Sequence, residues 1–354
     1  MVPFRRLPFV AVLLLAAPLF AQQSVAELVA AGREHCGKRE WAAAIALLDR
    51  ALAQAPDDLE ALRWRGHAFT GSEQHERARA DLNRALELGA DDAWVHYAHA
   101  MALHHLGQLE AAVRGYSAAL AIDGTFFKAN EWRGFTLSRL GRHREALADL
   151  DAALRVDGGN AWLSLIRGKA RAALLDLDGA ESDLWRAADG DPQNGDAAAQ
   201  LGYLLVATGQ RVPGEAQLER AMGLDAAGQA EAALWRFHLR MAAGDEAAAQ
   251  KLLAPWPVGE VAKEVTVPWP RVVVQFLSGA LTSEQLVAAA AATPVAERAA
   301  NRCAAWLHIG LVARRAGRDD DALRAFARAV ATDVRDQWEW TWARQALREV
   351  AGEV

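Results

Sequence analysis

Apolar and polar positions along most of the chain recur every 34 residues, and inside each repeat they follow the spacing of two consecutive amphipathic helices. Blocks in this frame begin at Val25, Leu59, Ala93, Phe127, Ala161 and Gly195. Their eighth place holds Gly32, Gly66, Ala100, Gly134, Gly168 and Gly202, and their twentieth Ala44, Ala78, Ala112, Ala146, Ala180 and Gly214. A large residue stands at place 24 (Leu48, Leu82, Tyr116, Leu150, Leu184, Leu218), and Ala always at place 27. Small residues at places 8 and 20 let two helix backbones approach, and the large residue at place 24 fills the groove between them. Gly107, Gly141 and Gly209 at place 15 permit the turn that joins the helices. Pro56, Pro192, Gly124 and Gly158 at place 32 end the second helix.

A second correlation runs in the same frame. Arg65, Arg133 and Arg167 stand at place 7 of the blocks that carry Asp81, Asp149 and Asp183 at place 23, and the other three blocks lack both. This predicts an ion pair between the two helices of a block. The competing reading, an arginine ladder that grips a ligand's carboxylates, is weaker because each Arg already has a partner.

Four positions that hold over six blocks resemble the tetratricopeptide repeat. The resemblance implies an all-α fold, an α-solenoid of tetratricopeptide helix-turn-helix repeats wound as a right-handed superhelix, with protein or peptide partners held in a concave groove. By that resemblance the groove is lined from places 2, 5, 9 and 12, and the candidate binding residues are Arg63, His67, Trp94, Tyr97, Met101, Lys128, Glu131, Phe135, Trp162, Lys169 and Tyr203. The Lys and Asn pattern with which some members grip a C-terminal carboxylate does not recur. The array should span residues 22–254 in about seven repeats, the last a truncated block from Ala230. Residues 255–270, with four prolines, should be a linker or wrapped loop. Residues 271–354 should be helical, with one further repeat over 303–336 and a final helix covering the open end.

Composition changes the picture at the N-terminus. Arg5 and Arg6, an apolar run from Leu7 to Phe20 and the small Ala21 have the layout of a secretory signal peptide over residues 1–21. The run is short for a membrane span, so export to a periplasmic or extracellular space is expected, without a stable membrane anchor after cleavage; an uncleaved anchor is the alternative. Without Arg5 and Arg6 the 39 basic residues fall to 37 against 45 acidic, a net charge of −8, which argues against nucleic acid as a partner. Cys36 and Cys303 cannot form a disulfide framework.

Candidate chemistry adds little. His96, His99, His104 and His105 crowd together but have no companion at metal-ligand spacing, and His35 beside Cys36 points about 100 degrees away from it on a helix, so neither group predicts a site. No hydrolase elbow, zinc-protease or phosphate-loop motif is present, and no cofactor is expected. Trp94, Tyr97, Met101, Phe135 and Trp162 would give the groove an aromatic strip suited to a binding hot spot, unless Trp94 and Trp162 instead pack on the preceding block. At the far end Trp338 and Trp342 share one helix face and Trp340 the other, so the helix either closes the array or offers a second contact surface. The expected function is an exported, non-enzymatic scaffold or adaptor, self-association being compatible with it. The alternative is an envelope hydrolase or carbohydrate-handling protein using carboxylates of residues 255–302, such as Glu260, Glu264, Glu284 and Glu297.

Overall fold

The computed structural model describes residues 23–224, 229–255, 269–295, 297–334 and 337–352. The expected leader and most of the proline-rich segment lie outside them. Among the described residues every regular element is a helix. The chain divides into two compact units, Met1–Ile122 and Asp123–Val354.

In the first unit the helices are α1 (Val25–Gly37), α2 (Trp41–Gln54), α3 (Leu59–Gly71), α4 (His75–Glu87), α5 (Ala93–His105) and α6 (Leu109–Ile122). The second unit continues the frame with α7 (Phe127–Arg139), α8 (His143–Val156), α9 (Ala161–Ala173), α10 (Leu177–Gly190), α11 (Gly195–Ala207) and α12 (Arg211–Leu224). It then has α13 (Gln229–Ala242), α14 (Glu246–Leu253), α15 (Trp269–Leu277), α16 (Ser283–Ala292), α17 (Arg298–Arg315), α18 (Asp319–Val330) and α19 (Trp338–Ala351). Each 34-residue block is thus one helical hairpin, in the fold that the tetratricopeptide resemblance implies.

Capping is periodic too. Ser24, Asp58, Asp92, Asn160 and Asn194, each the residue before a block, accept a backbone N–H of the following first turn. At the hairpin turn the fifteenth residue takes a left-handed conformation in every block: φ is 74° at Gly107, 72° at Gly141 and 88° at Gly209. Arg39, Glu73 and Leu175 adopt the same conformation, with φ of 60° to 65°, so the turn is dictated by the hairpin and glycine only relieves its cost.

The helix crossing is where the small residues act. A β-carbon on Gly202 would meet Leu218 at 2.8 Å and one on Gly214 would meet Val206 at 2.8 Å, so the two helices run antiparallel with bare backbone facing a branched side chain. Gly32 against Leu48, Gly66 against Leu82, Gly134 against Leu150 and Gly168 against Leu184 repeat the contact at 2.7 to 3.0 Å. The block with Ala100 at place 8 solves the same problem from the other side: it has Gly115 at place 23, whose β-carbon would lie 2.8 Å from that of Ala100. The block therefore has no Asp at place 23. For Gly66→Ala, relief of backbone entropy favours the helix by about 1 kcal/mol, but overpacking costs about 1–3 kcal/mol. The expected net result is a loss of about 1 kcal/mol in urea-unfolding free energy, whereas Gly37→Ala, which meets nothing within 4 Å, should not destabilise.

The three Arg–Asp pairs are present and bidentate. Arg65 donates to both oxygens of Asp81 (2.7 and 2.8 Å), Arg133 to both of Asp149 (2.7 and 2.7 Å), and Arg167 to both of Asp183 (2.7 and 2.6 Å). Arg65 and Arg167 also reach the preceding block, at Asp49 and Asp151, both at 2.7 Å. These guanidiniums tie helices together, within a block and between neighbouring blocks.

Candidate functional site

The groove residues named from sequence fall into small groups on the first helices of the blocks. In the first unit Arg63 lies over the Trp94 ring (5.6 Å) and His67 packs edge-on against it (5.3 Å). Two rings not named from sequence complete the cluster: Trp64, 5.9 Å from Trp94, and Trp41, 5.6 Å from His67 and seated on the bare face of Gly71. All of these rings are half-buried. Burial holds the His67 imidazole below its ordinary pKa, so it is neutral near pH 7. Tyr97 donates its hydroxyl to Met101 Sδ at 3.1 Å on the same helix.

The same constellation recurs 68 residues later in the second unit, where Trp132, Phe135 and Trp162 take the places of Trp64, His67 and Trp94. Phe135 and Trp162 lie 5.1 Å apart and Trp132 flanks both. Trp162 therefore packs on the preceding block while keeping part of its ring exposed, and Trp94 does the same. Lys128 is exposed and donates to Glu131 (2.9 Å), which is buried. Tyr203 is only 2% exposed, and Lys169 is committed to Asp196 at 3.6 Å.

Tyr203 is buried because the first-helix face of the second unit is covered here by another helix of the chain. Helix α19 lies along the first helices of the later blocks, against α11 and α17 as well as α18. Its two faces are apolar, as the alternation of Trp338, Trp340 and Trp342 predicts, and both are used. Trp338 donates its Nε1 to Gln200 and joins the core of α9 to α13. Trp342 stacks on Trp235 at 4.3 Å, and Trp235 lies 4.9 Å from Tyr203. The opposite face buries Trp340 against α17 and α18, its Nε1 donating to the Val330 carbonyl at 2.8 Å. The helix expected to cover the open end therefore also sits on groove places: Tyr203, Val206, His238 and Leu311 occupy places 9 and 12 of their blocks. An amphipathic helix with apolar residues on two sides can bury both only by lying between two surfaces.

Electrostatics along this seat are unusual. Glu231 on α13 and Glu339 on α19 are half-buried near each other and near Asp196, with Lys169 the compensating cation. Desolvation, reinforced by Glu339 and Asp196, pushes the Glu231 carboxyl up to about 8, and desolvation raises Glu339 as well. Further along, His238 Nε2 and His308 Nδ1 share a proton at 2.7 Å in the core. Burial lowers both, His308 to about 3, so the pair is neutral.

Other candidates stand apart from this site. His105 stacks on His75 at 4.4 Å, His96 pairs with Asp91, and His104 is buried; among the described residues no cluster of three His, Cys, Asp or Glu side chains could hold a metal ion. Cys36 and Cys303 are free and buried, and burial pushes the Cys36 thiol up to about 11, which removes it as a nucleophile. Glu284 and Glu297 are exposed and not brought together with a partner base, while Glu260 and Glu264 lie outside the described residues. No described helix is long and apolar enough to cross a membrane.

No family model matches the chain. Two curated relatives from Oryza sativa subsp. japonica, the DnaJ protein P58IPK homologs B and A, are each 29% identical over 160 residues; these cover 40% of this chain and 34% and 33% of theirs. The chain thus spans about a third of the length of those relatives. Among solved structures, the C-terminal part of a TPR repeat-containing protein from Cytophaga hutchinsonii superposes with a TM-score of 0.53 at 15% identity, over 66% of this chain and 96% of that one. That likeness is one of fold.

Proposed function

We infer, from a chain built of tetratricopeptide repeats, that it is a protein-interaction scaffold whose first-helix faces receive aromatic-bearing segments of partner proteins. The observation that carries this reading is α19. Its Trp338 and Trp342 occupy, in cis, the positions where a partner would lie, and so the seat is physically able to hold a helix. The half-buried clusters around Trp94 and around Phe135 and Trp162 supply two further faces with the aromatic character of interaction hot spots. The leader-like segment with Arg5, Arg6 and the run to Phe20 supports export as the setting in which the scaffold works.

A fluorescently labelled peptide of residues 337–352 tests the reading. Added to the chain carrying Trp338→Ala and Trp342→Ala, it should bind saturably. The unmodified chain should bind it at least about tenfold more weakly, because its own helix competes at an effective concentration on the order of millimolar. Equal binding to both chains, or binding that survives the same two substitutions in the peptide, would count against the groove.

A further inference from the structure

Beside the C-terminal half of α19 the seat is not fully packed: a cavity of about 350 Å³ remains, large enough for a small organic molecule. Its wall holds apolar groups, Leu239, Leu311 and the Trp342 ring, and three cations, Arg211, Arg314 and Arg315. Of these only Arg314 is neutralised by a carboxylate of the wall, Glu349 at 2.8 Å. Arg211 and Arg315 are exposed and make no ion pair within 4 Å among the described residues; Arg315 lies over the Phe237 ring at 5.8 Å and has the Glu246 carboxylate at longer range. The remaining polar groups are the neutral His238 and the amide of Gln345. A net positive cavity in a chain of net charge −6 is a local reversal of the protein's overall charge.

We propose that this cavity binds a small organic acid, a carboxylate carried on an apolar body, with the carboxylate received by Arg211 and Arg315 and the body lying against Leu239, Leu311 and Trp342. Guanidinium forks match a planar carboxylate. An inorganic anion would leave the apolar wall unfilled, and a neutral hydrocarbon would leave Arg211 without a carboxylate and Arg315 with only the more distant Glu246. The inference is separate from partner docking, because the cavity lies between α19 and its seat with the helix in place.

Titration calorimetry of the full chain with octanoate and octanamide tests it. Octanoate should bind saturably and at least about tenfold tighter than octanamide, and the Arg211→Gln, Arg315→Gln chain should lose that advantage while binding the amide no worse. N-acetyl-leucyl-leucine serves as a second probe, for a peptide end. It carries the same carboxylate on an apolar body and should bind as well; failure of both acids to bind overturns the assignment. Equal affinity for acid and amide on the unmodified chain overturns it as well, and that comparison does not depend on the folding of any variant.

Discussion

Glu231→Gln should stabilise the chain, and the gain should grow with pH. The Glu231 carboxyl is raised to about 8 from an ordinary 4.5 by desolvation and by Glu339 and Asp196. For an acid raised on folding, stability is fully present below the unfolded pKa and is lost as pH rises through the folded one. Between about pH 4.5 and pH 8 the unfolded chain has released this proton and the native chain still keeps it, which costs up to about 1.4 kcal/mol for each pH unit. Glutamine keeps the shape and the hydrogen-bonding capacity without that cost. Urea unfolding should therefore show a gain below about 1 kcal/mol at pH 5, rising to a ceiling of about 4–5 kcal/mol by pH 8.5. The His238–His308 pair has the opposite sign: both imidazoles are depressed, so it loses stability as pH falls below about 6.5. Unmodified protein mixes the two dependences, and only the difference between variant and parent isolates Glu231. A gain independent of pH would mean that Glu231 is ionised and solvated in the native chain.

The hairpins were legible in sequence because their determinants are local. A crossing needs a small residue opposite a large one at fixed spacing, and Gly66 with Leu82 or Arg133 with Asp149 record that need within a single block. Legibility stops where a contact joins residues far apart in the chain. Trp338 touches Gln200 and Trp342 touches Trp235 across more than a hundred residues, and no period of 34 relates them. The burial of Tyr203 follows from the same contact, which is why a residue at a groove place by count is a core residue in space. The aromatic faces were half legible. Trp94 and Trp162 were identified at place 2, but their partners Trp64 and Trp132 stand at place 6, outside the positions the family pattern assigns to a groove. Aligning Trp64, Trp132 and Trp235 in one column of the repeat would have revealed them.

Asp183→Ala should be among the most damaging single substitutions in the chain. Its side chain is 1% exposed and accepts from three donors, two on Arg167 at 2.7 and 2.6 Å and one on Arg171 at 2.8 Å. Removing the buried member takes the bidentate partner from Arg167 and one partner from Arg171, leaving Arg167 only the Asp151 carboxylate and Arg171 only that of Asp176, a cost of about 3 kcal/mol, the lower end for a broken buried pair. Asp151, 44% exposed and bonded to the same Arg167, is a solvated pair member, and Asp151→Ala should cost below about 1 kcal/mol. Thermal and urea unfolding of both variants measure the contrast. The paired replacement Arg167→Met with Asp183→Leu decides what the pair is for: an isosteric apolar contact in its place should recover most of the lost stability. If binding of any partner collapsed in that restored double variant while its unfolding matched the parent, Arg167 would be a ligand-gripping group. If stability and binding return together, the Arg–Asp pairs are ties between the two helices of a hairpin.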